Sequence, residues 1–185
     1  MNKVLLPKKS MTGRSFTFSF RLRRLLWVFV NVCFFRMSPK PFFKYRNFIL
    51  RMFGGNVAKT ARVNPSANIW YPSNLSLGEN SAIGFNVILY NQGRIDIGDN
   101  VIVSQYSYLC ASTHDYDDPL HPLILAPIEV SNNVWVCAGS FIGPGVSVGE
   151  GAVVGARCVL SKDASPWSVY AGNPAKKIKD RSFDK

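Results

Sequence analysis

An aliphatic residue returns every six positions along most of this chain, beginning at Val57. The fifteen members of this series are Val57, Val63, Ile69, Leu77, Ile83, Leu89, Ile97, Val103, Leu109, Val130, Val136, Ile142, Val148, Val154 and Leu160. A second series of mostly small residues follows each of them by four positions: Ala61, Ala67, Ser73, Ser81, Val87, Gly93, Val101, Ser107, Thr113, Val134, Ser140, Val146, Ala152, Cys158 and Ala164. A period of six fits neither an α-helix nor a lone amphipathic strand, so it predicts short strands separated by regular turns.

Three six-residue units make one coil, and coils starting at 57, 77, 97, 130 and 148 predict a parallel β-helix of five coils. We expect the aliphatic residues to fill the interior and the small residues to occupy the bends. Stacked coils repeat every ~4.8 Å, so each coil covers the apolar edge of the coil below it. Glycine often follows the aliphatic position directly, where a Cβ would obstruct the turn: Gly78, Gly84, Gly98, Gly143, Gly149 and Gly155.

One long insertion interrupts the repeat. Only two extra residues follow the first and the second coil, whereas fifteen residues, 115–129, follow the third. Because solenoids carry their binding loops as insertions on one side, we expect the chemistry to lie here. His114 ends the third coil between stacked strands and this loop, which is a suitable place for a general base.

Three carboxylates follow this histidine, at Asp115, Asp117 and Asp118. We expect Asp115 to act with His114, because a carboxylate near the ring fixes the imidazole tautomer and raises its basicity. Asp117 and Asp118 are candidates for binding substrate. The alternative is a surface histidine beside solvated loop carboxylates.

Charge separates the N-terminal segment from the rest of the chain. Residues 1–56 contain twelve Lys and Arg and no acidic residue, whereas residues 57–185 contain ten basic and eleven acidic residues. We therefore divide the chain into a basic, aromatic segment 1–56, a β-helix 57–165 with its inserted loop, and a C-terminal tail 166–185. The four cysteines lack paired spacing and indicate free thiols in a reducing compartment: Cys33, Cys110, Cys137 and Cys158.

The N-terminal segment contains two apolar stretches, 25–35 and 41–53. Eleven residues are too few to span a bilayer, which requires about 20 in a helix, and no small-residue cleavage site follows. We expect two short helices that cap the lower end of the β-helix, that contact an anionic membrane surface, or that do both. Nucleic-acid binding is disfavoured because the aromatic residues cluster with aliphatic ones. Asn173-Pro174 is a typical helix start and predicts a short C-terminal helix.

Several segments carry a resemblance to a known family. The repeat, the His114 corner, and the segments 132–139 (NNVWVCAG), 141–149 (FIGPGVSVG), 160–163 (LSKD) and 171–176 (AGNPAK) resemble the hexapeptide-repeat acetyltransferases. The exopolysaccharide branch, typified by the colanic acid biosynthesis acetyltransferases, is the most similar. The resemblance covers nearly the whole chain from residue 16 and implies an all-β, left-handed parallel β-helix. It also implies a homotrimer that binds acetyl-CoA in the groove between neighbouring prisms. From the free thiols we expect a cytoplasmic protein.

The same resemblance implies individual roles. His114 would take the proton from an acceptor hydroxyl. The expected contacts to acetyl-CoA are Trp135 in the groove, the backbone at Ala138 and Ala156, and Lys162 and Lys176 near the phosphates. Cys137 departs from the glycine common in the family and either narrows the groove or faces away. Asn91 is a candidate for binding the sugar, because it lies one coil below the His114 segment.

The predicted function is O-acetylation of a sugar hydroxyl, on a lipid-linked oligosaccharide or a nucleotide sugar.

Two other functions stay open. Zinc-dependent carbonic anhydrases share this fold but use three histidines, whereas this chain has only His114 and His121. A non-catalytic scaffold is the other alternative. A covalent route through Cys110 or Cys137 is disfavoured, because neither cysteine has a second histidine or a basic residue nearby in sequence to lower its pKa. We expect no metal.

Overall fold

Three parallel sheets form the walls of a triangular prism in the computed structural model, which describes residues 3–6 and 16–182. Face 1 consists of Asn56–Val57, Leu75–Leu77, Ile95–Ile97, Ile128–Val130 and Ser147–Val148. Face 2 consists of Arg62–Val63, Ala82–Ile83, Ile102–Val103, Trp135–Val136, Val153–Val154, Ser168–Ala171 and Lys176–Asp180. Face 3 consists of Asn68–Ile69, Ile88–Tyr90, Tyr108–Cys110, Phe141–Ile142 and Val159–Leu160. A short 3₁₀ turn, Pro72–Asn74, lies between the first coil and the second.

The predicted repeat is confirmed by the register of these sheets. On face 2, Val63 pairs with Ile83, and Ile83 pairs with Val103, so each aliphatic residue lies directly over its counterpart. All fifteen aliphatic residues are at most 4% exposed. Thirteen of the fifteen residues of the second series are also buried, and the two exceptions, Ser73 and Thr113, lie where face 3 leads into face 1. The expectation for Thr113 was wrong because the chain leaves the prism at that residue.

The insertion is a hairpin. Ser112–His114 pairs antiparallel with Leu123–Leu125, and Val4–Leu6 adds a third strand on the other side of Leu123–Leu125. Ile128–Val130 then rejoins face 1 by pairing with Ile95–Ile97. His114 therefore lies on a strand that projects from the prism.

Two helices cap the first coil, as the sequence predicts. Helix α1 spans Phe18–Val30 and continues into a π-helical turn, Asn31–Phe35, and helix α2 spans Phe43–Met52. No helix within the described ranges is long and apolar enough to cross a membrane.

Side-chain donors from these helices satisfy carbonyl groups at the open edge of the first coil. Trp27 Nε1 donates to the Ile69 carbonyl at 2.8 Å, and Arg46 Nε donates to the Val63 carbonyl at 2.7 Å. Asn47 Nδ2 donates to the Ala61 carbonyl at 2.7 Å. Because unpaired strand edges invite other strands, these bonds close the lower end of the solenoid.

The C-terminal helix expected from Asn173-Pro174 is absent from the described residues, and that prediction was wrong. Ser168–Ala171 starts a sixth coil on face 2, and Lys176–Asp180 folds back on it as an antiparallel strand. The strand arises because pairing with an exposed sheet edge satisfies backbone groups that an isolated short helix would leave to water.

Close contact between coils explains the glycines and gives a stability prediction. A Cβ added to Gly84 would lie 2.8 Å from the Gln105 backbone nitrogen, whereas one added to Gly143 would lie 3.3 Å from its nearest atom, the Leu160 carbonyl oxygen. We expect Gly84→Ala to lower the free energy of unfolding by about 1–3 kcal/mol, the usual cost of overpacking. The matched Gly143→Ala variant should cost less. Denaturant titration followed by tryptophan fluorescence measures both, and equal losses would contradict this account.

Candidate active site

His114 lines a cavity of about 460 Å³ on the outside of the prism. The other lining residues combine aromatic and polar side chains: Phe16, Tyr90, Gln92, Tyr108, Ser112, Thr113 and Leu123. The lining is therefore about equally polar and apolar, and it can both pack against a ligand and form hydrogen bonds with it. Face 3 supplies Tyr90 and Tyr108, and the inserted hairpin supplies His114.

A backbone carbonyl orients the imidazole of His114. Its Nδ1 atom lies 2.8 Å from the His121 carbonyl oxygen, an acceptor that requires the proton to be on Nδ1. Nε2 then carries the lone pair, which is the state a general base needs. His121 reaches this position with φ of 44°, in the left-handed region.

Asp118 holds the turn that presents this carbonyl. Its Oδ1 accepts the Leu120 N–H at 2.8 Å, and its backbone carbonyl accepts the His121 N–H at 2.8 Å. This is an Asx turn, in which an Asp side chain replaces a backbone acceptor. Asp118 therefore acts on His114 through the loop.

The structure gives Asp115 a different contact from the expected one. Its Oδ1 accepts the Asp117 N–H at 3.1 Å, and the His114 ring donates its Nδ1–H to the His121 carbonyl instead. Asp117 is exposed. The sequence suggested a carboxylate as the partner of the His114 ring, because three aspartates follow His114. The turn that places the His121 carbonyl against the ring instead is a feature of the tertiary structure.

Sequence reasoning missed the residues that surround His114. Ser112 Oγ donates to Gln92 Oε1 at 2.8 Å, which leaves the Gln92 amide N–H₂ group available as a donor. Burial, followed by the repulsion that a nearby Cys110 thiolate would exert, raises the pKa of Tyr108 to about 12, so its phenol stays neutral at neutral pH. One available signal was the order of the repeat, which stacks the Tyr90 segment directly below the Tyr108 segment.

Asn91, proposed from that same stacking, is not brought into the cavity. It is fully buried, and its Oδ1 accepts the Tyr71 N–H while its Nδ2 donates to the Tyr71 carbonyl. Both ends of the amide are therefore bonded to the backbone of the coil below. Its neighbour Gln92, which follows it in the bend after Ile88–Tyr90, lines the cavity instead.

Three of the residues expected to contact acetyl-CoA lie at or beside another corner, where face 2 leads into face 3: Trp135, Ala138 and Ala156. Trp135 is 46% exposed, and its Nε1 donates to Ser104 Oγ at 3.0 Å. Ala138 and Ala156 occupy the middle of two stacked turns, joined by a bond from the Arg157 N–H to the Ala138 carbonyl. Within the described residues, the N–H groups of Ala138 and Ala156 donate to no protein acceptor. These two groups are available to a ligand.

Lys162 and Lys176 are exposed near the C-terminal end of the prism. Cys137, in the turn that contains Ala138, is half-buried, and its burial raises the pKa of the thiol. A raised pKa disfavours the thiolate that a covalent mechanism requires. Within residues 3–6 and 16–182, no three His, Cys, Asp or Glu side chains are grouped so as to hold a metal ion.

Comparison with known proteins identifies the family. No family model matches the chain. The chain is 38% identical over 156 residues to the Escherichia coli (strain K12) protein assigned to colanic acid biosynthesis as acetyltransferase WcaF. The aligned residues cover 84% of this chain and 86% of that protein. The chain belongs to the hexapeptide-repeat acetyltransferases. The resemblance seen in the sequence is thereby confirmed.

Solved structures support the same fold for this hexapeptide-repeat acetyltransferase. Galactoside acetyltransferase in complex with coenzyme A has a TM-score of 0.82 at 28% identity, over 92% of this chain and 86% of that one. A maltose O-acetyltransferase from Clostridium difficile 630 has a TM-score of 0.81 at 26% identity, over 90% of each chain. The prism is a left-handed β-helix, and the enzyme is an acyltransferase.

The contact between Asp118 and the loop gives a prediction about the His114 tautomer. Asp118→Ala removes the acceptor of the Leu120 N–H, so we expect the His121 carbonyl to move and the Nδ1–H tautomer of His114 to lose population. Asp118→Asn keeps an oxygen at the same position and should preserve the tautomer. Long-range ¹H–¹⁵N NMR spectra of the imidazole measure this ratio. An unchanged ratio in Asp118→Ala would show that the turn does not orient the ring.

Proposed function

We propose that this enzyme transfers the acetyl group of acetyl-CoA to a hydroxyl of a sugar used in surface or exported polysaccharide. The single observation that carries the proposal is the His114 imidazole, fixed through Nδ1 and lining a cavity of tyrosine, glutamine and serine side chains. The names of relatives support the substrate class, since they include colanic acid and galactoside acetyltransferases.

His114 acts as the general base in this proposal. A sugar hydroxyl is a poor nucleophile at neutral pH, so Nε2 accepts its proton as the oxygen bonds to the acetyl carbon. Acetyl-CoA supplies that carbon, and its carbon–sulfur bond breaks in the same reaction. The imidazolium then returns the proton to the sulfur. The His121 carbonyl accepts the Nδ1–H throughout and keeps the ring in one orientation.

The corner between faces 2 and 3 fits the extended arm of acetyl-CoA. Stacked N–H groups at Ala138 and Ala156 suit the amide carbonyls of the arm, and alanine side chains leave room beside them. Trp135 offers an exposed aromatic surface. Lys176, on the last strand of face 2, offers positive charge to the phosphates. Lys162 lies at the corner between faces 3 and 1, so it would offer its charge to acetyl-CoA in the groove of a neighbouring subunit.

A homotrimer completes the site in this proposal. His114 projects where face 3 leads into face 1, whereas Ala138 and Ala156 lie where face 2 leads into face 3, so a sheet separates the two groups within one chain. Side-by-side packing of identical prisms around a threefold axis would bring one corner against the other. His114 is exposed in the single chain, which fits a site closed by a neighbour.

We place the enzyme in the cytoplasm. Its cysteines are free in the described structure, as a reducing compartment would keep them. Acetyl transfer and the vesicle experiments below do not depend on this assignment.

The role of His114 as a base is tested by measuring acetyl transfer to a panel of sugars, nucleotide sugars and lipid-linked sugars. The rate is measured as release of the free thiol of CoA. We expect His114→Ala to lower kcat/KM at least about 100-fold, within the usual range for a general base. His121→Asn is the matched control, because it keeps the backbone carbonyl and tolerates a positive φ. Transfer to no acceptor would overturn the proposal, and unchanged transfer by His114→Ala would favour a role outside catalysis.

The shared site gives a second prediction. Ala156→Trp should block the groove for acetyl-CoA and His114→Ala should remove the base, so each variant alone should be inactive. Trimers mixed at equal ratio should regain activity at roughly a quarter of their sites, because one subunit supplies the histidine and its neighbour the groove. Activity of refolded mixtures measures this, with Ala156→Ser as a control that should stay active. Mixtures without activity would place the whole site in one chain.

A further inference from the structure

Helix α1 is apolar on two opposite sides. Phe20 and Trp27 face the prism, where Trp27 is 1% exposed and Phe20 packs against Tyr71. On the other side, four residues spaced by four, three and four positions form one stripe. These are Phe18, Leu22, Leu25 and Phe29, with exposed fractions of 73, 57, 67 and 59%.

Helix α2 repeats this arrangement. Ile49 and Leu50 are buried against the first coil, whereas Tyr45, Phe48 and Met52 are exposed by 40, 54 and 68%. The spacing of three and four positions again places the exposed residues on one side. We call the exposed apolar sides of α1 and α2 together the outer helical face.

Exposed apolar side chains are concentrated in these two helices and are not scattered over the protein. Among the described residues, thirteen of the twenty-two exposed large apolar side chains lie within residues 18–52. Single exposed apolar residues are ordinary, but a concentration of this kind marks an interaction site. The two helices meet at this surface, since Leu26 of α1 and Met52 of α2 line one shared pocket.

Positive charge surrounds the outer helical face. The exposed basic residues of the same stretch are Arg21, Arg23, Arg36, Lys40, Lys44 and Arg51. No acidic residue occurs among residues 1–56. Their long side chains can extend past the apolar stripe toward phosphate groups while their methylene stems stay in apolar surroundings.

We propose that the outer helical face binds the surface of an anionic lipid bilayer. Helices that lie in the membrane interface have an apolar side that enters the acyl boundary and a cationic border that contacts anionic headgroups. Both components occur here on one side of the protein, opposite the side that packs on the prism. The proposal does not depend on the proposed function.

A second copy of the chain is a poorer occupant of this face. Two such faces would bring basic borders together without any acidic partner from residues 1–56. Like charges in contact disfavour association, whereas anionic lipid neutralises them. The charge pattern therefore selects lipid over self-association.

The position of α1 links this surface to the His114 cavity. Phe16 lines the cavity and stacks on Phe20 of α1, with ring centroids 4.4 Å apart. A bilayer under α1 would thus lie beside the opening of the cavity. Resting on the proposed function, this placement favours a sugar acceptor carried on a lipid.

Sedimentation of the full chain with vesicles tests the proposal. The vesicles are phosphatidylcholine alone or phosphatidylcholine with phosphatidylglycerol. We expect binding to the anionic vesicles, lowered at least about tenfold in Leu22→Gln/Leu25→Gln/Phe29→Gln, because the apolar side drives insertion. Arg21→Glu/Arg23→Glu should weaken binding to anionic vesicles and reduce its salt dependence. Ile178→Gln is the matched control, since Ile178 is 61% exposed at the other end of the prism and should not affect binding.

We expect each variant to fold, because the substituted side chains lie outside the core. Circular dichroism and thermal melting check this. The proposal is overturned if the wild-type chain stays in the supernatant with anionic vesicles at low salt. It is also overturned if the triple variant binds as well as the wild type. A lower assembly mass of the triple variant in light scattering would assign the face to a second copy instead. Because no acetyl transfer is measured, failure here leaves the proposed function untouched.

Discussion

In-register stacking of short strands is the constraint on which the rest of this structure depends. A coil of three two- or three-residue strands has too few contacts to fold alone, so each inward aliphatic residue needs a counterpart above and below. Val63, Ile83 and Val103 show this on face 2. The same spacing leaves no room for a Cβ at Gly84. The result is a rigid surface on which separate corners hold their positions.

The catalytic proposal uses the one place where stacking is interrupted. His114 leaves the prism on a strand that is paired with Leu123–Leu125, so a regular scaffold fixes one side of the residue and a tight turn fixes the other. Asp118 and the His121 carbonyl belong to that turn. In this proposal, catalysis uses a local exception to the repeat that the neighbouring coils support.

Open ends are the structural cost of a solenoid, and this protein closes its two ends differently. At the lower end, Trp27, Arg46 and Asn47 donate hydrogen bonds to backbone carbonyls of the first coil. At the upper end, Lys176–Asp180 pairs with the last parallel strand. Using helices at the lower end leaves one side of each helix outside, and the basic, apolar character of that side supports a further role in binding.

The sequence by itself determined the prism, five of its coils, the helical cap and the insertion, because burial at every sixth position is a local, repeated requirement. It also singled out His114, since the break in the repeat is visible without coordinates. Only the tertiary structure decided that His121, and not Asp115, contacts the ring, that Asn91 is bonded inside the wall, and that Lys176 begins a strand. Those outcomes depend on hydrogen-bond geometry between residues brought together by folding, and sequence spacing does not encode such geometry.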